Sequence, residues 1–289
     1  MERHNNSQRM ERITSRQNAI VKRFRDLART TRASGHGEQT SHAGHATDVL
    51  LDGEHLVQEA LACGIKVDVA AVSERQLANV LSPIARIAHD IKTRGGRVVT
   101  VGEPVLAAMS PVQHPSGVVA IARARPADVG VVMSAPSDLP VVLVLAGVQD
   151  PGNVGAIVRA AAAFGAAGVI VTEGSANPFS WKALRGAMGA TFRIPIAARA
   201  TFPAVIASAQ EHHVRLVAAA PRGGTPLPQL DLTRRLAIVF GGEGAGLSPR
   251  TLTAVHATVT IPMHEPVESL NVAVAAALIL YEASRQRTS

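Results

Sequence analysis

Val141-Val142-Leu143-Val144-Leu145 is a run of five apolar residues, mostly β-branched, with Pro140 before it and Ala146-Gly147 after it. No polar residue alternates within it, so both faces of such a strand need cover. That is the pattern of an inner strand in a parallel sheet flanked by helices. Downstream, Gly168–Val171, Arg215–Ala219, Ala237–Phe240 and Ala257–Ile261 repeat the pattern, and the chain closes on a helix from about Leu270 to Arg285. That last helix (NVAVAAALILYEA) is apolar round most of its surface, so it is expected in the core or against a second subunit. Periodicity alone reads residues 140–289 as an open, doubly wound α/β sheet.

Upstream, residues 48–122 alternate strand candidates (Val49–Leu51, Val67–Val72, Arg97–Val101, Gly117–Ala122) with helix candidates (Gly53–Ala62, Ser82–Thr93, Pro104–Met109). This reads as a small α/β domain. Residues 123–139 hold two prolines and little periodicity and read as a linker. In residues 1–47, a basic helix is expected over 13–29, with Ile20, Val21, Phe24 and Leu27 at helical spacing. The small, polar stretch 30–47 reads as a flexible linker.

Composition narrows the function classes. At 47% apolar and 18% charged, a 289-residue chain has the material for two cores and not the make-up of a disordered one. The single cysteine, Cys63, excludes a disulfide framework and any cysteine-rich metal or cluster site. The basic start MERHNNSQRMER lacks the apolar centre of a secretory signal, and no stretch offers the ~20 apolar residues of a membrane span. A cytoplasmic protein with no membrane and no metal is expected. His42 and His45 stand at metal spacing but lack a further ligand nearby.

The formal charge of +7 is concentrated at the N-terminus. Residues 1–32 carry nine Lys/Arg, Arg23 and Arg25 among them, against three acids, while the rest of the chain is nearly neutral. Such a block reads as a nucleic-acid-facing arm. With aromatics at 3%, recognition is expected to rest on phosphates and shape more than on stacked bases.

Three loops that follow strands hold the remaining polar residues of interest, at the sheet end where open parallel sheets bind ligands. In Gln149-Asp150-Pro151-Gly152-Asn153-Val154-Gly155-Ala156-Ile157-Val158-Arg159 a DPGN turn enters a helix, with Asn153 placed to cap it. Arg159 is the only charge in the run that follows, so it is expected to face a cleft and meet an anion there. In Phe240-Gly241-Gly242-Glu243-Gly244-Ala245-Gly246-Leu247-Ser248, glycines around one Glu let the backbone approach a ligand closely. The spacing does not match a dinucleotide or triphosphate loop. In Ile261-Pro262-Met263-His264-Glu265-Pro266-Val267-Glu268-Ser269-Leu270-Asn271, Ser269 and Asn271 sit where cap and first-turn hydrogen bonds are made.

In this order, NxGxxxR, GGEGxGL and IPMxxxxESLN resemble the three motifs of the SpoU (TrmH-type) RNA ribose 2′-O-methyltransferases, over residues 140–285. Residues 48–122 are similar to the ribosomal-protein-like RNA-binding domain that precedes the catalytic part in many members. The resemblance implies a SPOUT-type parallel-sheet domain with a deep trefoil knot, against the default rule on knots, and a homodimer built through that domain. It implies S-adenosylmethionine as cofactor, held near Gly241, Gly242, Ile261, Met263 and Leu270. Asn153, Arg159, Glu243, Ser269 and Asn271 become the catalytic set. Since a guanidinium stays protonated, the reading gives Arg159 the phosphate beside the target ribose and the developing alkoxide, with Glu243 and Asn153 orienting it. Lys182 and Arg185, three apart on a helix, are RNA-binding candidates. The chain departs from the pattern at Glu265, where members often carry Gly, and at Gly186, where they carry Ser or Ala.

The expected activity is methyl transfer to a ribose 2′-hydroxyl of structured RNA, with large-subunit (23S) ribosomal RNA as substrate. The alternatives are a tRNA ribose 2′-O-methyltransferase, a non-catalytic RNA-binding ribosome-assembly factor, and a small-molecule nucleotide enzyme with no RNA affinity.

Overall fold

The computed structural model describes residues 10–30, 46–79, 81–244 and 246–288. His42, His45 and most of the expected 30–47 linker lie outside them. The chain divides into two compact units, one holding Asp48–Ala124 with the described N-terminal segment, the other running from Arg125 onward.

In the first unit the order is β1 (Glu11–Ile13), α1 (Ala19–Thr30), β2 (Thr47–Asp52), α2 (Glu54–Ala62), β3 (Val67–Ser73), α3 (Glu74–Leu77), α4 (Pro83–Thr93), β4 (Arg97–Val101), α5 (Glu103–Met109) and β5 (Val118–Ala124). The five strands form one sheet in the order β1-β4-β3-β5-β2, with β5 antiparallel to β3.

Residues 10–30 of the basic N-terminal segment are therefore not a free arm. Strand β1 pairs in parallel with β4, Glu11 opposite Val99 and Ile13 opposite Val101. Ile13, Val21 and Phe24 are buried. The apolar stripe of the expected basic helix has a core to enter, and burying it outweighs leaving the segment free. Two of the cations are also compensated: Arg12 pairs with Glu74, and Arg23 Nη2 lies 2.7 Å from Asp48 Oδ2 and 3.4 Å from Asp68 Oδ2. The hydrogen bond to Asp48 raises the Arg23 pKa against the opposing effect of burial. Arg23 is accordingly engaged in ion pairs and is not a free cation. Arg25 Nη1 lies 3.5 Å from the Arg16 carbonyl oxygen.

The second unit runs α6 (Val129–Ser134), β6 (Leu139–Ala146), α7 (Pro151–Ala163), β7 (Ala166–Thr172), α8 (Trp181–Ala187), β8 (Ile196–Ala200), α9 (Phe202–Glu211), β9 (Arg215–Ala219), β10 (Thr225–Pro226), β11 (Leu236–Gly241), α10 (Pro249–Ala254), β12 (Ala257–Thr260) and α11 (Val272–Thr288). Its sheet is parallel throughout, in the order β10-β12-β9-β11-β6-β7-β8. Val141 to Leu145 are completely buried, as the unbroken apolar run requires. One face of the sheet packs on α6 and α9, through Val132, Met133, Val205 and Ala209; α7 and α11 cover the other.

Two readings are corrected here. Residues 123–139 are not a plain linker, because α6 lies inside them and buries Val132 and Met133. A helix of six residues is too short to display a 3.6-residue period. Strand β8 escaped the pattern reading as well, since Ala-Ala-Arg-Ala carries little β preference and takes its conformation from pairing with β7.

Strand order reverses between β6 and β11: from β6 the chain builds outward through β7 and β8, then returns to the far side of β11. The crevice at such a reversal, beyond the carboxyl ends of the strands, is where parallel sheets place ligands.

Candidate active site

The loops leaving β6 and β11 meet at that reversal. Gly147 leaves β6 at φ +84, and a Cβ on Gly242 would lie 2.1 Å from the Gly147 carbonyl oxygen. On Gly241 a Cβ would meet Gly246 and Leu247 backbone at 2.4–2.6 Å. Only glycine lets these backbones come so close.

Helix α7 begins beside this contact. Asp150 is its N-cap, accepting the Asn153 N–H at 2.9 Å, and Pro151 takes the first turn. This corrects the expectation that Asn153 caps the helix. With the cap supplied three residues earlier, the Asn153 side chain is released, and its Nδ2 donates to Glu243 Oε1 at 2.7 Å. Glu243 Oε2 accepts the Gln149 N–H at 3.2 Å. Asn271 Nδ2 donates to Asn153 Oδ1 at 3.0 Å, while Asn271 Oδ1 accepts the Ala273 and Val274 N–H groups and caps α11. One hydrogen-bonded chain thus joins all three motifs, across 90 and 118 residues of sequence.

Burial pushes the Glu243 carboxyl upward, but hydrogen bonds from Asn153, from its own backbone and from Gln149 outweigh it and hold the group below its ordinary value. Glu243 is ionised at neutral pH and acts as a fixed acceptor; it is poorly suited to giving or taking a proton there.

Next to this chain lies a cavity of about 400 Å³. Phe240, Val259, Ile261 and Ile279 make its walls apolar, and Gly241 and Gly242 present backbone. Met263, Leu270, Ser269 and Asn271 also line it, and Glu243 is the only charged residue that does, among the described residues. An apolar slot with open peptide edges and one carboxylate suits a flat nucleoside joined to a cationic centre. S-adenosylmethionine fits that description.

Not every expected residue is brought in. Ser269 faces the cavity but makes no hydrogen bond among the described residues. Arg159 does not lie in a cleft: it is exposed on α7 and makes no ion pair among the described residues. Its neighbours on that face, Gly152, Ala156 and Ala163, are small and also exposed, so this face of α7 does not enclose the guanidinium among the described residues. Six residues along a helix place it about 9 Å from Asn153 and a third of a turn round. Lys182 and Arg185 are exposed on α8, with Lys182 Nζ 5.7 Å from the Trp181 ring centre. Arg23 and Arg25 belong to the other unit.

A parallel sheet whose reversal point holds a glycine-lined nucleoside slot, with a carboxylate–amide chain at its edge, defines a nucleoside-cofactor enzyme. Residues 140–281 match the SpoU rRNA Methylase family, and residues 50–127 match the family described as RNA 2′-O ribose methyltransferase substrate binding. An uncharacterized tRNA/rRNA methyltransferase from Synechocystis is 33% identical over 95% of this chain and 94% of its own length. The 23S rRNA (guanosine(2553)-2′-O)-methyltransferase RlmP of Bacillus subtilis is 30% identical over 80% of this chain and 86% of its own. Among solved structures, an AdoMet-bound rRNA methyltransferase from Sinorhizobium meliloti superposes with a TM-score of 0.81, at 28% identity, covering 96% of this chain and 98% of that one. The SpoU methyltransferase AviRb from Streptomyces viridochromogenes, in complex with AdoMet, gives 0.77 at 27% identity, covering 94% and 99%. The chain belongs to the SpoU rRNA methylase family. It is an RNA methyltransferase that uses S-adenosylmethionine.

Proposed function

We propose that this enzyme methylates a ribose 2′-hydroxyl of large-subunit (23S) ribosomal RNA. The observation that carries the reading is the Asn271–Asn153–Glu243 chain at the edge of the cavity, where the three motif loops converge. The cofactor, when bound, supplies an already activated methyl group. The protein's work is then alignment and exclusion of water. Gly241, Gly242, Ile261, Met263 and Leu270 hold the nucleoside part. Asn153 and Asn271, locked by Glu243, orient the target ribose. Arg159, paired with no carboxylate among the described residues, binds the adjacent phosphate and offsets charge developing on the ribose oxygen. Lys182 and Arg185 extend that cationic surface.

The reading includes the trefoil crossing and a homodimer. Closure of the β11 loop over Gly147 and the return of Asn271 to Asn153 support the first. The second is supported by Val274, Leu278 and Tyr281, which lie along one face of α11 at 49%, 40% and 58% exposure. Contiguous large apolar side chains of this kind mark an interface.

The test is methyl transfer from labelled S-adenosylmethionine to ribosomal RNA and to tRNA, both from a strain lacking the gene. Label in 23S RNA at a single alkali-resistant linkage is expected. Label in tRNA alone overturns the substrate, and label on a base overturns the ribose assignment.

A further inference from the structure

Ser175 lies on the loop between β7 and α8, outside the three motif loops, yet its hydroxyl is bonded to the backbone entering α7. Oγ accepts the N–H groups of Gly147 at 2.8 Å and Val148 at 3.1 Å, and donates to the Leu145 carbonyl at 3.0 Å. A serine hydroxyl offers one proton and two lone pairs, so its capacity is used in full. The Ala176 N–H to Val148 carbonyl bond, at 2.8 Å, closes the brace from the same loop.

The braced residues are those on which the site leans. Gly147 presents the carbonyl against which Gly242 packs. Gln149, one residue beyond Val148, gives its N–H to Glu243. Ser175 itself does not line the cavity. Its hydroxyl is thus two residues removed from the carboxylate that orients Asn153, and it touches neither the nucleoside slot nor the ribose position.

We propose that Ser175 is a positioning residue for methyl transfer, holding the 147–149 backbone so that Glu243 and Asn153 stand in register with the target ribose. The proposal rests on the reading that those two residues work at the site. Alanine at 175 leaves two backbone N–H groups without their acceptor and lets the loop shift. A shift of this kind lowers the rate while the apolar walls of the slot keep the cofactor.

The experiment compares full-length wild type with Ser175→Ala, Ser175→Thr and Glu243→Gln. Each is read by kcat on ribosomal RNA from a strain lacking the gene, by S-adenosylmethionine Kd from calorimetry, and by melting temperature. Ser175→Ala is expected to lose at least about tenfold in kcat, with Kd within about threefold and little change in melting temperature, the split expected of misplacement. Ser175→Thr keeps the hydroxyl and is expected to restore most of the rate. Wild-type kcat in Ser175→Ala beside a slow Glu243→Gln overturns the proposal and leaves the site reading standing. A slow Ser175→Ala beside a fully active Glu243→Gln overturns the reading on which the proposal rests. Equal losses of kcat, binding and melting temperature in both the Ala and Thr variants also overturn it, because the serine is then a stability residue.

Discussion

Asn153 has its amide orientation decided by what stands at the two ends of its hydrogen-bonded chain. Glu243 can only accept, so Nδ2 turns toward it; the first-turn N–H groups of α11 can only donate, so Asn271 gives them Oδ1 and turns Nδ2 toward Asn153. Replacing Asn153 by Asp sets two carboxylates against each other and removes the donor. Methyl transfer by Asn153→Asp is expected to fall by at least about 100-fold, with S-adenosylmethionine binding nearly intact, in single-turnover assays and calorimetry. Arg159→Lys tests a different point. Lysine keeps the charge but not the planar fork, so turnover is expected to drop to a small fraction while cofactor affinity stays near normal. Equal loss of both places Arg159 elsewhere in the cycle. The polar residues themselves were legible in the chain, since each interrupts an apolar or glycine-rich run. The role of Asn153 was not, because the turn reads as capped by Asn153 and the fold puts the cap on Asp150, which frees the Asn153 side chain.

At the scale of elements, α7 and α8 touch through glycine. A Cβ on Gly155 would sit 2.4 Å from the Ala183 carbonyl and 3.0 Å from the Ala187 nitrogen, both backbone. Gly155→Ala is expected to cost about 1–3 kcal/mol in urea unfolding, the usual range for overpacking a tight contact. Gly186, a departure from the family pattern, has more room, its closest contact being 3.3 Å, so Gly186→Ala is expected to be milder. The far end of α11 is held by Glu282, which accepts two bonds from Arg285 and one from Gln286, while Gln286 also bonds Leu230 and Leu232. The hydrogen bonds from Arg285 and Gln286 lower the Glu282 pKa to about 2. A carboxyl depressed in the folded state contributes stability that is complete above its unfolded value and is lost as pH falls from there toward about 2. Thermal melts between neutral pH and pH ~3 should show a steeper decline for wild type than for Glu282→Gln; parallel curves refute the linkage. Most helices and strands could be read from periodicity. Among the elements it missed, α6 and β8 are six and five residues long, and their conformations come from the sheet they pack on or pair with.

For the molecule as a whole, the open apolar face of α11 is the decisive feature. Leu278→Asp, on a side chain 40% exposed and outside the cavity lining, is expected to turn a dimer into a monomer by sedimentation without unfolding the chain. A wild-type protein already monomeric at micromolar concentration overturns the homodimer. RNA affinity should fall steeply with salt, since the binding groups proposed are guanidinium and ammonium side chains. A flat salt response refutes that surface.

What the chain determined by itself was local and patterned. Unbroken apolar strands called for a parallel sheet, and three spaced motifs marked the cofactor end and its polar residues. Only the tertiary structure decided which of those residues meet. It paired Asn153 with Glu243 and Asn271, put Arg159 on an open face, and drew Glu11–Ile13 of the basic segment into a sheet with Arg23 between two aspartates. The physical reason is range. Backbone preference and burial act over a few residues and leave a periodic trace, whereas a hydrogen bond across 118 residues leaves none.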